Sequence, residues 1–245
     1  MKVGTDNRNI DVVILCGGKG TRLQPVISDR PKPMVEMKGR PFLDILIDYL
    51  CGYGFRRYVL CVGYMKESIK EFFTKESRRG KIVFSDEKTL LGTGGALKNG
   101  ELLIKSDPFL VLNGDSFCPL DYRDFLRFYF SKGADVSIVL NEKKAKYSYG
   151  VVAINDKARI VSFNEKVDNK DGYVNAGVYV FNQTIFSLIP HNKVFSLEND
   201  LFPYIIDREV FGYVTKSPFM DIGTPERYQK AAEFINKSVV EGLNG

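Results

Sequence analysis

Residues 12–23 read VVILCGGKGTRL, and this stretch decides the fold that the rest of the chain completes. It begins with consecutive apolar residues, and such a run bounded by glycine is typical of a fully buried strand in a parallel sheet. The glycines then allow the backbone to turn sharply and to approach a ligand without a Cβ in the way. Arg22 and Lys32 add two positive charges beside that turn. Backbone N–H groups and cations at the end of a first strand predict a polyphosphate site.

The composition is typical of a globular protein. A chain of 245 residues is long enough to bury a sizeable core, and its 44% hydrophobic and 27% charged residues are ordinary values. No apolar run approaches the roughly 18 residues that a membrane helix needs. The polar residues 1–9 lead into the first strand without the apolar region of a signal peptide, which favours a cytoplasmic protein without membrane insertion.

The charge and the cysteines narrow the choice of partners. The net charge of +5 is mild and comes without a block of lysine or arginine, so it favours anionic small molecules and no nucleic acid. The four cysteines show no C-x-x-C spacing, and the chain has one histidine. We therefore expect reduced, mostly buried thiols rather than a cysteine metal site.

Strand and helix signals alternate through the first half of the chain. After the first strand, strands are predicted at 55–62, 81–84 and 109–112, and helices at 41–50, 66–73 and 94–103. In the first of these helices, Asp44 and Asp48 form one exposed stripe on an otherwise apolar surface. The alternation predicts a parallel sheet covered by helices.

The second half contains more strands. They are predicted at 134–140, 150–154, 160–164 and 173–181. Helices are predicted at 121–132 and at 197–206, the second interrupted near Pro203, and a final helix starts at Thr224-Pro225-Glu226. No internal repeat or linker divides the sequence. We therefore predict an α/β protein of one domain over 1–245. Its expected fold is a Rossmann-like α/β/α sandwich whose central sheet is mixed and mostly parallel.

Two common glycine-rich motifs are excluded by their spacing. A P-loop reads G-x-x-x-x-G-K-[ST], but here Val13 stands at its first glycine and Gly20 at its hydroxyl position. A dinucleotide fingerprint reads G-x-G-x-x-G, and Leu23 stands where its third glycine belongs. A different kind of loop must therefore bind the polyphosphate.

Six short motifs occur in order along the chain. They are the glycine loop with Pro31-Lys32-Pro33-Met34, Leu91-Gly92-Thr93-Gly94-Gly95-Ala96-Leu97, Asn113-Gly114-Asp115, Glu165-Lys166, Asn175-Ala176-Gly177-Val178-Tyr179 and Asp221-Ile222-Gly223-Thr224-Pro225-Glu226. This combination resembles the sugar-1-phosphate nucleotidylyltransferases over the whole chain. Each motif alone is weak evidence for the family, but six motifs in this order are highly specific for it. The sequence departs from the broader family pattern at Val167, where a proline usually follows Glu-Lys, and after Pro25, where Val26-Ile27 replaces the usual Leu-Thr.

The resemblance implies an enzyme that joins a nucleoside triphosphate to a sugar 1-phosphate and releases pyrophosphate. The nucleophile in that reaction is a phosphate oxygen that is already ionised at neutral pH, so no general base is needed. The protein has to position two polyanions and neutralise their charge. The nucleotide is expected in the half at about 10–115, and the sugar phosphate in the β-rich half at about 116–245.

The matching positions imply roles for individual residues. The expected catalytic residues are Arg22, Lys32 and Asp115. Asp115 and Asp221 are expected to hold Mg²⁺, a hard ion that prefers carboxylate and phosphate oxygens. The expected nucleotide-binding residues are Leu15, Gly17, Gly18, Gly20, Thr21, Arg22, Glu87, Gly92 and Thr93. The expected sugar-phosphate-binding residues are Gly150, Glu165, Lys166 and Asn175, whereas Glu198 and Asp200 are interpreted as structural.

The substrate pair is a finer question. Residues 26–29 and 39–44 look most like the branch of the family that uses GTP and D-glycero-α-D-manno-heptose 1-phosphate. Glu87 is the candidate acceptor for the N1–H and the exocyclic amine of guanine. Guanylyl-, uridylyl-, thymidylyl- and cytidylyltransferases for mannose, glucose or amino-sugar 1-phosphates stay open, as does a non-catalytic nucleotide-sugar-binding regulator on the same fold. Relatives are often dimers or tetramers, so a homo-oligomer is also open.

Overall fold

The structure of the chain, a computed structural model, describes residues 6–23, 27–75, 80–142, 151–164 and 172–242. Its strands are β1 Val12–Leu15, β2 Glu36–Met37, β3 Arg40–Pro41, β4 Arg57–Val62, β5 Lys81–Asp86, β6 Phe109–Asn113, β7 Ser116–Phe117, β8 Val136–Asn141, β9 Val151–Ile154, β10 Ile160–Asn164, β11 Tyr173–Phe181, β12 Val210–Thr215 and β13 Met220–Asp221. Its α-helices are α1 Phe42–Gly52, α2 Lys66–Lys75, α3 Gly92–Asn99, α4 Tyr122–Lys132 and α5 Pro225–Gly242. These bounds confirm the predicted alternation of strands and helices in the first half.

A nine-stranded sheet forms the centre of the fold. β5, β4, β1 and β6 lie side by side and parallel, and β11 is antiparallel to β6. β6 and β9 share one edge of β11, while β8 pairs along the other edge and β12 pairs parallel to β8. Following these pairings, β10 and β11 run opposite to the other seven strands. The sheet is therefore mixed and mostly parallel, as predicted.

Apolar side chains cover both faces of the sheet, because successive residues of a strand point to opposite sides. On one face, Val12 and Ile14 belong to a core cluster that includes buried residues of α1, α2 and α4. On the other face, Val13 packs in a second cluster with α3 and with the helical turns Gln183–Leu188 and Leu197–Leu201. This layering confirms the α/β/α sandwich.

The predicted exposed stripe on α1 is wrong at one of its two positions. Asp44 is 3% exposed, and its Oδ2 accepts a hydrogen bond from Nε of Arg40 at 2.8 Å. The same guanidinium donates from Nη2 to Asp48 at 3.0 Å. Arg40 lies before the helix, so helical spacing alone could not reveal that it satisfies a buried carboxylate.

Three strands of the second half, β7, β12 and β13, are not predicted from the sequence. β7 and β13 have only two residues each, and Gly212 interrupts the apolar run of β12. That glycine is needed for packing, since a Cβ there would lie 2.3 Å from Cδ1 of Leu140. The interruption predicted near Pro203 in the helix at 197–206 is confirmed, because a π-helical turn at Leu197–Leu201 is followed by a 3₁₀ turn at Phe202–Tyr204.

The central sheet takes strands from both predicted halves, because β6 of the first half pairs with β11 of the second. The single-domain organisation and the division of labour between the halves stay predictions. Within the described ranges, no helix is long and apolar enough to span a membrane.

Candidate active site

The carboxyl ends of the parallel strands form the candidate site. Leu15, the last residue of β1, is in register with Cys61 on one side and Asn113 on the other. The loops that follow β1, β5 and β6 therefore leave the sheet at the same edge. A cavity of about 430 Å³ lies between these loops. All nine expected nucleotide-binding residues line it, together with Lys32 and Asp115.

The glycine loop packs closely against the rest of the site. A Cβ on Gly17 would lie 2.2 Å from Oε1 of Glu87, so any side chain there would displace that carboxylate. Gly20 has a φ of +60°, a conformation that glycine adopts without strain. A Cβ on Gly18, by contrast, would meet no protein atom within 4 Å. The space beside Gly18 is therefore open to a ligand.

Lys32 and Asp115 form an ion pair in the cavity. Nζ of Lys32 donates to Oδ2 of Asp115 at 2.5 Å, and the hydroxyl of Ser116 donates to Oδ1 at 3.1 Å. The Lys32 side chain is 11% exposed, whereas that of Asp115 is 39% exposed. The carboxylate thus remains accessible to a ligand although it already has a cationic partner.

A small two-stranded sheet brings Asp221 to Asp115. β13 pairs antiparallel with β7, so that Asp221 is opposite Ser116. The N–H of Ile222 also donates to the backbone oxygen of Asp115 at 3.0 Å. The two expected metal-binding residues, which are far apart in the sequence, are therefore neighbours across one backbone pairing.

The Asp221 carboxylate has an ion-pair partner that sequence reasoning missed. Nη1 of Arg227 donates to its two oxygens at 3.1 and 3.0 Å, and the N–H of Gly223 donates to Oδ1 at 2.8 Å. The signal in the sequence is weak. Arg227 lies three residues after Thr224, in the first turn of α5, where an acidic residue is more usual.

Arg22 lies close to the same charges. A Cβ built on Gly223 would lie 3.5 Å from Nζ of Lys32 and 3.7 Å from Nη2 of Arg22, as well as 2.6 Å from Oδ1 of Asp221. All three expected catalytic residues and both expected metal ligands are thus brought together around one turn of the chain. This arrangement suits a ligand that carries several negative charges together with a cation.

Glu87 lines the same cavity and is 6% exposed. Burial raises the pKa of its carboxyl group above the ordinary value, although the N–H of Leu91 opposes this shift by donating to Oε2 at 2.8 Å. The residue is therefore a buried acceptor with a fixed orientation rather than a surface charge.

Thr93 is held by the segment that precedes β12 in the chain. Its hydroxyl donates to Oε2 of Glu198 at 2.7 Å and accepts the N–H of Leu197 at 2.8 Å. The N–H groups of Gly94 and Gly95 both donate to the carbonyl of Phe195. These contacts support the interpretation of Glu198 as a structural residue that anchors the loop at the start of α3.

Asn175 lies in an irregular part of β11, where the pairing with β8 shifts register. Its side chain donates to the Tyr179 hydroxyl at 2.9 Å and accepts the N–H of Gly177 at 2.9 Å. The hydroxyl of Tyr179 in turn donates to Oε1 of Glu198 at 3.3 Å.

The remaining expected sugar-phosphate residues, Gly150, Glu165 and Lys166, lie outside the described residues. Asn175 is not among the residues that line the cavity of about 430 Å³. Its expected role, like theirs, stays a prediction. Asp200 accepts the N–H of Ser196 at 2.7 Å, which agrees with its interpretation as structural.

A second, wider depression of about 570 Å³ lies between α2 and the β2–β3 turn. Its charged residues form ion pairs with one another, since Arg30 pairs with Asp29 and Glu36, and Lys75 pairs with Glu71. None of the expected site residues lines it. The expected nucleotide-binding and catalytic residues therefore line the cavity beside the glycine loop and not this depression.

Residues 11–238 match the nucleotidyl transferase family. The chain belongs to this family. It is 36% identical over 219 residues to the D-glycero-alpha-D-manno-heptose 1-phosphate guanylyltransferase of Campylobacter jejuni, which covers 89% of this chain and 97% of the relative. It is 34% identical over 223 residues to the protein of the same description from Aneurinibacillus thermoaerophilus, with 91% and 96% of the two chains covered.

The crystal structure of HddC from Yersinia pseudotuberculosis complexed with GMP-PN superposes with a TM-score of 0.81 at 39% identity, covering 91% of this chain and 98% of HddC. These relatives confirm the predicted sugar-1-phosphate nucleotidyltransferase family and its reaction, nucleotidyl transfer to a sugar 1-phosphate to give a nucleoside-diphosphate sugar.

Proposed function

We propose that the protein transfers GMP from GTP to D-glycero-α-D-manno-heptose 1-phosphate. The observation that carries this proposal is the cavity in which the glycine loop, the Lys32–Asp115 pair and the buried Glu87 face one space. The descriptions of the relatives from Campylobacter jejuni and Aneurinibacillus thermoaerophilus support GTP and the heptose phosphate as the substrate pair.

The proposed reaction is a displacement at the α-phosphorus of GTP. A phosphate oxygen of the sugar 1-phosphate attacks this phosphorus, the bond from the α-phosphorus to the oxygen that bridges it to the β-phosphorus breaks, and pyrophosphate leaves. The triphosphate lies on the open side of Gly18, where Arg22 binds its β- and γ-phosphates and Lys32 binds near the reacting phosphates. No proton has to be removed from the nucleophile, so the site requires cations rather than a general base.

The carboxylates of Asp115 and Asp221 fit a magnesium ion that binds together with phosphates. Among the described side chains, no group of three or more His, Cys, Asp and Glu residues is arranged to hold a metal. Mg²⁺ in nucleotide sites commonly uses one or two carboxylates and completes its coordination with phosphate oxygens and water. When bound, the ion supplies positive charge that stabilises the leaving pyrophosphate.

Guanine is proposed to bind at Glu87. One carboxylate oxygen is held by the N–H of Leu91, which fixes the plane of the group. An ionised carboxylate can accept two parallel hydrogen bonds, and guanine offers them from N1–H and its exocyclic amine. Gly92 and Thr93, which also line the cavity, form the adjoining wall for the base and ribose.

The sugar phosphate is proposed to bind at Gly150, Glu165, Lys166 and Asn175, with the cation of Lys166 on its phosphate. The Asn175 amide is already oriented by Tyr179 and by the backbone of Gly177, so it presents a fixed polar group on β11. We also propose a cytoplasmic location, where nucleoside triphosphates are made. Assembly into a homo-oligomer stays a prediction.

Pyrophosphate release, measured for each nucleoside triphosphate against a panel of sugar 1-phosphates with Mg²⁺, tests the proposal. We expect the fastest turnover with GTP and the heptose 1-phosphate. Preference for another triphosphate or another sugar phosphate would overturn the substrate assignment alone. Tight nucleotide binding without turnover for any pair would contradict the enzyme and identify a binding protein on the same fold.

A further inference from the structure

Arg227 contacts both carboxylate oxygens of Asp221, the atoms that a metal ion would use. A single nitrogen, Nη1, lies 3.1 Å from Oδ1 and 3.0 Å from Oδ2, while Oδ1 also accepts the N–H of Gly223. The Asp221 side chain is 11% exposed and that of Arg227 is 27% exposed. The guanidinium and a divalent cation therefore compete for one partly buried carboxylate.

The position of Arg227 in its helix is unfavourable for a cation. Its backbone N–H donates to the hydroxyl of Thr224 at 3.3 Å, which places it in the first turn of α5. The N-terminal turn of a helix carries partial positive charge, so another cation there needs an anion nearby. Asp221 supplies that anion here, and a phosphate group satisfies the same requirement.

Arg227 belongs to a cluster of alternating charges rather than to an isolated surface pair. Asp221 lies close to Gly223, and a Cβ built on Gly223 would lie 3.5 Å from Nζ of Lys32. Lys32 in turn pairs with Asp115. Each of the two carboxylates thus has its own cationic partner. If a divalent ion takes both carboxylates, both cations lose their partners at the moment when phosphates arrive beside them.

We propose that Arg227 is a further phosphate-binding residue, which Asp221 holds until a divalent cation takes that carboxylate. This proposal rests on the proposed function, because it needs a phosphate substrate and a cation at this site. It gives Arg227 two effects of opposite sign. Arg227 weakens metal binding to the free protein, and it strengthens phosphate binding once the metal is present. A residue that only stabilises the fold would not produce this pair of effects.

Metal binding without substrate tests the first effect. The probe is Mn²⁺, and the free ion is measured by its electron paramagnetic resonance signal in titrations of the full chain. With Arg227→Gln, we expect Mn²⁺ to bind about three- to tenfold more tightly, because the competing cation is gone. Lys230→Gln is the matched control, since Lys230 lies on the same helix and pairs with the exposed Glu226 at 3.2 Å. The control should bind Mn²⁺ as the unchanged protein does.

Phosphate binding tests the second effect. Inorganic pyrophosphate and mannose 1-phosphate are titrated separately at saturating Mg²⁺ by calorimetry. We expect Arg227→Gln to weaken at least one of them by about tenfold or more, the loss typical of one charge-assisted hydrogen bond. The affected ligand shows whether Arg227 serves the triphosphate or the sugar phosphate. Arg227→Lys keeps the charge, so it should retain Mn²⁺ affinity close to normal and lose less phosphate affinity, which guards against a folding defect in the glutamine variant.

Unchanged or weaker Mn²⁺ binding in Arg227→Gln would overturn the proposal, because Arg227 would then orient Asp221 rather than compete for it. Unchanged affinity for both phosphates would overturn it as well. Failure of the unchanged protein to bind pyrophosphate with Mg²⁺ would instead contradict the proposed function itself, because pyrophosphate is the product of the proposed reaction, so the two failures are distinguishable.

Discussion

The carboxylates of the candidate site are held in two different ways. At the proposed phosphate end, which comprises Arg22, Lys32 and Asp115 with the neighbouring Asp221 and Arg227, each carboxylate is paired with a side-chain cation. At the proposed base end, which comprises Glu87 and 91–93, the carboxylate is buried and is held by a backbone N–H. Ion pairs between side chains can exchange partners when a metal and phosphates enter, whereas a backbone hydrogen bond keeps its group in place. The first end is suited to reaction, and the second to recognition.

The largest effect is expected at the phosphate end. Asp115→Asn or Asp221→Asn should lower kcat by about a hundredfold or more, because each removes a charge that faces the metal and the leaving pyrophosphate. Turnover is measured with saturating Mg²⁺, and circular dichroism checks that the fold is kept. Asp124→Asn is the control, since Asp124 pairs with Arg127 on the exposed side of α4. Near-normal kcat in either variant would remove that residue from the site.

A smaller, ligand-specific effect is expected at the base end. Inosine triphosphate lacks the exocyclic amine of guanine, so the unchanged protein should use GTP better than ITP. Glu87→Gln should lower kcat/KM for GTP about tenfold or more and much reduce the preference over ITP, since an amide cannot accept both hydrogen bonds. Glu101→Gln is the control, because Glu101 pairs with Lys98 away from the cavity. A GTP-to-ITP ratio unchanged by Glu87→Gln would show that guanine binds elsewhere.

Substitutions at Gly17 and Gly18 distinguish an effect on packing within the protein from an effect on GTP binding. Gly17→Ala should lower both the melting temperature and GTP affinity, since its Cβ would lie 2.2 Å from Oε1 of Glu87. Gly18→Ala has space within the protein, so its melting temperature should be unchanged while GTP binds several-fold more weakly. Thermal melts and calorimetry measure the two quantities. If Gly18→Ala binds GTP normally, the phosphates do not approach the open side of this glycine.

The smallest effect concerns stability and pH. Burial raises the pKa of Glu87 above 4.5. At pH values between 4.5 and this raised pKa, the folded protein therefore holds a proton that the unfolded chain has lost. The free energy of unfolding should therefore decrease as pH rises through the window above 4.5. Glu87→Gln removes the titrating carboxyl group. The melting temperature of the variant minus that of the unchanged protein should therefore increase from acidic to neutral pH. A difference that is constant with pH would contradict the shifted pKa.

Local sequence signals predict some parts of the candidate site, whereas parts that depend on tertiary contacts are not predicted. β1 and the glycine loop were predicted because an apolar run followed by glycines is a local signal. The meeting of Asp115 and Asp221 depends on two-residue strands that have no periodicity, so their joint role came from the family resemblance alone. Arg227 is not predicted as a site residue, because its contact with Asp221 depends on the turn at Gly223. Asp44 was misjudged because Arg40, which neutralises it, lies outside the helix.

A crystal structure with Mn²⁺ and a non-hydrolysable GTP analogue tests the central claim, that one cavity has a metal-binding phosphate end and a guanine-binding base end. We expect an anomalous Mn²⁺ signal in coordination contact with both Asp115 and Asp221, the triphosphate beside Gly18 and Arg22, and guanine hydrogen-bonded to Glu87. A metal bound away from these carboxylates, or guanine placed away from Glu87, would contradict it.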